Sequence, residues 1–86
     1  METCSYSELY EIILEVIHAK LSQEGNDPNG VDENTDLMEL LDSFSILDVI
    51  MDIEDRATVD ADLAKMDFAN RMTVRDLIKE IIRINS

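Results

Sequence analysis

Asp42 and Ser43 stand side by side in the stretch ELLDSFSILDVIMDIED, Glu39 to Asp55, at the head of an acidic segment with helical spacing. A serine in that position has two uses. As a cap, its side-chain oxygen accepts a hydrogen bond from a backbone N–H of the first turn. As a handle, its hydroxyl projects from the helix end beside unpaired N–H groups that favour negative charge, so a phosphate ester at Ser43 would be partly stabilised. Asp42 is an equally good cap, which frees Ser43 for modification. Catalysis by Ser43 as a nucleophile is the weaker alternative, because activation needs a positioned base. The one histidine, His18, falls away from the apolar stripe of its own helix and is expected on the surface. The single cysteine, Cys4, allows neither an intramolecular disulfide nor a thiolate metal cage, and it fits a reducing cytosol.

A second chemical pattern overlaps the first. DENTDLMELLDS, Asp32 to Ser43, offers Asp32, Asn34 and Asp36 at the first, third and fifth places of a calcium-binding loop. Leu37 stands where the sharp turn needs glycine, and Ser43 where a bidentate glutamate belongs. No specific metal is therefore expected, only weak divalent binding to the acidic helix.

The elements that must position these residues follow from composition and periodicity. The 86 residues suffice for one domain with one core. They are 45% apolar but only 5% aromatic, with two glycines, one proline and no tryptophan, which favours an all-α fold. Ser5 and Glu8 form a capping-box pattern, and Leu9, Ile12, Ile13, Val16 and Ile17 recur on one face, which predicts helix I over about 6–21. Residues 22–36 hold both glycines, the proline and three asparagines and predict a long polar loop. A connection of that length lets the helices it joins run in nearly the same direction. Helix II is expected over about 43–56. A short helix III follows over about 61–68, with Asp60 as its cap and Leu63, Met66 and Phe68 turned inward. Helix IV runs over about 73–84, opened by Thr73 and Asp76, with Val74, Leu77, Ile78 and Ile81 on one face and Arg75, Lys79 and Arg83 on another. Those three basic residues are expected to pair with acids on a neighbouring helix. Together these elements predict a four-helix bundle in a single domain, 1–86.

Charge narrows the class of partner. Twenty acids against seven basic residues give a formal net charge of −13, which repels phosphate backbones and anionic lipid alike. Neither nucleic acid nor membrane is expected as a partner, and the apolar runs are too short and too often broken by acids to cross a bilayer or serve as a signal peptide. A basic patch on another protein is the better match, in an association whose rate falls as salt rises.

Helix II carries two apolar stripes. Ile46, Val49, Ile50 and Ile53 occupy one sector and suit a core. Phe44, Leu47 and Met51 form a second stripe on roughly the opposite side, flanked by Asp48, Asp52, Glu54 and Asp55. That second stripe is either edge packing, with Phe44 folded over the loop and Met51 singly exposed, or a docking surface with charges around apolar anchors. Between Asp32 and Asp55 lie nine acids and no basic residue, which makes this the most negative side of the chain.

At these residues the chain resembles a known family. Leu41-Asp42-Ser43-Phe44 is similar to the D-S-[LF] signature of acyl and peptidyl carrier proteins. The likeness extends over nearly the whole chain: first helix, long loop, acidic second helix, short third helix and a T-V start to the last. The resemblance implies that Ser43 is the attachment site of 4′-phosphopantetheine, delivered from coenzyme A by a phosphopantetheinyl transferase, with the arm's thiol holding cargo as a thioester. It implies a monomeric cytoplasmic carrier that is not itself an enzyme. Its partners would be acyl- or aminoacyl-loading and condensing enzymes, in fatty-acid, polyketide or other specialised biosynthesis. Phe44, Leu47, Asp48, Met51, Glu54 and Asp55 match the family's recognition helix. Leu40 replaces a glycine common two residues before the Asp-Ser pair, and Ala57 stands where an aromatic residue often closes helix II. Phe44 is more typical of D-alanyl and some aminoacyl carriers, so the cargo stays open between acyl and aminoacyl groups. The alternative from a different class is a noncovalent acidic adaptor, in which Ser43 is a dispensable cap worth about 1 kcal/mol.

Overall fold

The computed structural model describes residues 5–25, 27, 29–68 and 71–85. Among them the fold is all-α: α1 spans Tyr6–Gln23, α2 Leu37–Leu40, α3 Ser43–Ala57 and α4 Val74–Ile84, with a single 3₁₀ turn at Leu63–Lys65. The described residues form no strand beyond one isolated antiparallel bridge between Asp36 and Thr73.

Each long helix begins where a side chain can take a first-turn N–H. Ser5 caps α1 by accepting from Glu8 N, Asp42 caps α3, and Thr73 and Asp76 close a reciprocal capping box on α4. The apolar stripes then meet in one core. Leu9, Ile13, Val16, Ile17 and Leu21 of α1 pack with Val49, Ile50 and Ile53 of α3 and with Val74, Leu77, Ile78 and Ile81 of α4. Tyr6, Ile12, Leu63, Met66 and Phe68 lie half-buried around it.

Helices α1 and α3 run antiparallel. Passing along α1 from Glu15 to Lys20 to Glu24, the partners on α3 run backwards from Arg56 to Asp48 to Ser45. The loop between them is therefore not needed to carry the chain the length of the molecule. It leaves the tail of α1, runs out to the head of α4 and returns to the head of α3. At its far point Val74 N donates to Thr35 O, Arg75 N to Glu33 O and Leu37 N to Met72 O, at 3.1, 2.9 and 2.8 Å. Glu33 also pairs with the Arg75 guanidinium and accepts from the Tyr6 hydroxyl. The near-parallel course that the loop length permitted is not taken.

Two local features depart from the sequence pattern. Asp36 caps a one-turn helix, α2, inside what reads as continuous loop. In the other direction, the helix expected over about 61–68 shrinks to the turn at Leu63–Lys65, capped by Asp62 rather than Asp60. Side chains hold the segment's amides: Asp60 N donates to Asn85, Ala61 N to Glu54, Asp62 N to Asp60, Ala64 N to Asp62 and Asp67 N to Glu80, and of these Asp67 N is the one that a helix over 61–68 would need for its own ladder. Glu80 thus competes with the helical ladder at Asp67, while the other acceptors hold amides that no helical carbonyl would have reached. The segment is thereby fastened to both α3 and α4.

The basic stripe of α4 also pairs differently from expectation. Arg75 reaches the loop at Glu33, and Arg83 reaches Glu80 of its own helix and the carbonyl of Lys65. Lys79 is exposed, with no ion pair to any described residue.

Candidate functional site

The head of α3 divides three tasks among neighbouring side chains. Asp42 Oδ1 accepts from Ser45 N at 2.8 Å, so the aspartate is the cap. That hydrogen bond first, with the first-turn amides around the carboxylate and the nearby charge of Lys20, holds the Asp42 carboxyl below its ordinary range. Ser45 is buried, and its hydroxyl donates to Glu24 Oε2 at 2.7 Å, joining the head of α3 to the tail of α1. Ser43 is the first residue of α3, exposed, and its hydroxyl bonds to none of the described residues. Capping and fastening are both done by others.

Beside Ser43 opens an apolar groove of about 560 Å³, lined by Met38, Leu41, Asp42, Ser43, Ile46, Leu47, Leu63 and Met72. One wall is α2 and the Leu41 that follows it, with Met72 two residues before α4, and the other is α3 with the 3₁₀ turn. Every lining residue except Asp42 and Ser43 is apolar, so the groove suits a hydrocarbon chain better than a charged one.

The outer stripe of α3 lies in solvent. Phe44 is 80% exposed, Met51 66% and Leu47 47%, and Met38 on α2 extends the same patch at 50%. Phe44 does not fold back over the loop, and the stripe stands as an apolar patch on an otherwise charged surface. Leu47 serves two surfaces, the outer stripe and the groove.

The flanking acids differ in what they already hold. Asp48 accepts from Lys20 Nζ at 3.0 Å, and this partnership raises the Lys20 pKa. Glu54 Oε2 accepts from Ala61 N at 3.0 Å and so supports the following loop. Asp52 and Asp55 are exposed without a hydrogen bond or ion pair among the described residues, as is the Glu39 side chain on α2. Of the site residues expected from sequence, Ser43, Phe44, Leu47, Met51 and Asp55 are thus exposed and uncommitted. Asp42, Asp48 and Glu54 have structural partners.

Met38, Glu39, Glu24 and Lys20 were not legible as parts of this site. Asp36 followed three residues later by Glu39 is a helix-start signal that would have found α2. Nothing in the sequence announces that Glu24 and Lys20, a full loop away, return to α3. His18 lies exposed on α1, and among the described residues no base bonds to Ser43. The acids of the calcium-like stretch are spent on turns, Asp32 accepting from Asn34 N and Asp36 from Met38 N. Among the described residues no three His, Cys, Asp or Glu side chains gather as a metal site, and no helix is long and apolar enough to cross a membrane. In comparisons with protein-family models, with curated proteins and with solved structures, the chain matched none.

Proposed function

We propose that this chain is a discrete carrier protein, a four-helix bundle with a long first loop, that bears 4′-phosphopantetheine on Ser43 and passes a thioester-bound acyl group between partner enzymes. The observation that supports it most is the idle hydroxyl of Ser43: exposed at the head of α3, excluded from capping by Asp42, and set on the rim of an apolar groove. In the modification, Ser43 Oγ attacks the β-phosphorus of coenzyme A, adenosine 3′,5′-bisphosphate leaves, and the serine proton passes to a base of the transferase. The arm's thiol supplies the thioester chemistry, and the chain itself contributes position and charge. The carrier is not an enzyme and works in the cytoplasm.

Partner choice falls to the outer face of α3. Phe44, Leu47 and Met51 provide apolar anchors, and the acids around them steer a basic patch into register. The apolar lining of the groove favours acyl over aminoacyl cargo, despite Phe44.

The test is direct. After incubation with coenzyme A and a broad-specificity phosphopantetheinyl transferase, the intact mass should rise by one phosphopantetheine in the wild-type chain and not in Ser43→Ala. No gain, or a gain that survives Ser43→Ala, would sink the proposal. In that event the exposed stripe Phe44, Leu47, Met51, which stands whether or not Ser43 is modified, favours the noncovalent adaptor.

A further inference from the structure

Asp36 occupies an unusual place relative to the groove. Its backbone pairs with Thr73 in the one bridge among the described residues, and its side chain caps α2. The same oxygen, Oδ1, accepts from Met38 N at 3.0 Å and from Met72 N at 3.3 Å. Met38 and Met72 both line the groove beside Ser43, yet they are far apart in sequence and belong to separate elements. Asp36 itself lies behind that wall, in a shallow depression shared with Asn34, Glu39 and Arg71.

We propose that Asp36 is the positioning residue of the groove: its carboxylate oxygen holds the Met38 and Met72 segments in register and so sets how far the groove opens to the cargo on Ser43. The main-chain bonds Leu37 N to Met72 O and Val74 N to Thr35 O join the two segments behind the wall, the contacts among the wall side chains carry little direction of their own, and the shared acceptor adds the tie that fixes the Met38 and Met72 amides to one point. The methionines are the adaptable part of this wall, since an unbranched thioether side chain fills irregular space. Asp36 is the part that does not adapt. It touches no cargo and acts through the backbone of the two residues that do. This inference rests on the carrier reading for the identity of the cargo, but not for the clamp itself.

The experiment compares two substitutions at one position in the full chain. Asp36→Asn keeps a carbonyl oxygen where Oδ1 stands and retains both hydrogen bonds. Asp36→Ser keeps a hydroxyl able to cap α2 but is too short to hold Met72 as well. Each protein is loaded with an octanoyl-pantetheine arm, and thioester cleavage by hydroxylamine is timed against free octanoyl-pantetheine. Asp36→Asn should match the wild type, and Asp36→Ser should be cleaved roughly fivefold faster, the factor for one lost hydrogen bond. Equal rates in all three proteins would overturn the clamp.

Methyl-13C-methionine spectra of the unmodified proteins supply a readout that needs no arm. Asp36→Ser should move the Met38 and Met72 methyl signals and leave Met51 in place; an unmoved Met72 signal counts against the proposal. Should the wild type accept no arm, the carrier reading fails alone. Free octanoyl-pantetheine then replaces the arm and must shift both methyl signals in wild type and Asp36→Asn but not in Asp36→Ser. If Asp36→Ser does not fold, amide exchange in the wild type decides: the Met38 and Met72 amides, held by one oxygen, should exchange with common protection, and unequal protection refutes the clamp.

Discussion

The Ser45 hydroxyl donates to Glu24 at 2.7 Å, tying the head of α3 to the tail of α1 one residue pair away from the idle hydroxyl of Ser43. The two serines of DSFS therefore differ in kind. Ser45→Ala should lower the unfolding free energy by about 1 kcal/mol, the net worth of a hydrogen bond with its small void. Ser43→Ala should change it by less than about 0.5 kcal/mol, as surface substitutions do. Urea denaturation of both variants checks the contrast, and equal losses would contradict the division of tasks.

Acid should unfold the chain partly through Glu80. Its carboxylate is held down to about 2 from 4.5 by the Arg83 side chain first and then by the amide of Asp67. A depressed folded-state pKa means that the stabilisation is present above pH 4.5 and is lost as pH falls toward 2. Asp42, lowered chiefly by the Ser45 amide, acts with the same sign. Glu80→Gln should flatten the acid limb of a plot of urea midpoint against pH; an unchanged slope would remove Glu80 from the account.

Docking should separate from folding at different acids. Asp55→Lys should slow arm attachment by the transferase, and Met51→Ser should do so on the order of tenfold, the effect of losing an interface anchor. Neither should shift the melting temperature much. Glu54→Lys should slow attachment and also lower the melting temperature, because Glu54 supports Ala61 N. If Glu54→Lys melts like the wild type while Asp55→Lys does not, the roles are reversed.

Thr58 ends α3 in the left-handed conformation at φ 54°, where a β-branched residue is disfavoured and glycine is not. Thr58→Gly should therefore stabilise the chain by about 1 kcal/mol, measured by chemical denaturation. A loss instead would mean that the threonine side chain contributes more than its backbone costs.

Much of this was legible in the residues. Ile46, Val49, Ile50 and Ile53 repeat at helical spacing, and all four are buried; Phe44, Leu47 and Met51 share the opposite stripe, and all are exposed. Periodicity reports which face is which because a helix converts spacing directly into direction. It fails where side chains compete for the backbone. Glu80 takes the Asp67 amide that the expected third helix needed, and Glu54 and Asn85 fasten the segment's start, so partners from α3 and from α4 and its end decide the course of the chain there. The antiparallel course of α1 and α3, the partners of Arg75 and Arg83, and the groove itself depend on where a long loop returns. Loop length limits reach and says nothing of destination.

The closeness of Glu24 to Ser45 also bears on how the chain is strung. Because the loop leaves and re-enters at nearly the same point, the peptide through the exposed Asn29 and Gly30 spans no distance that the core needs spanned. Severed there, the chain would fall into a lone helix and a remainder bearing Ser43, and the stripe of α1, with the ties of Lys20 to Asp48 and of Glu24 to Ser45 beside it, would call the two fragments back together.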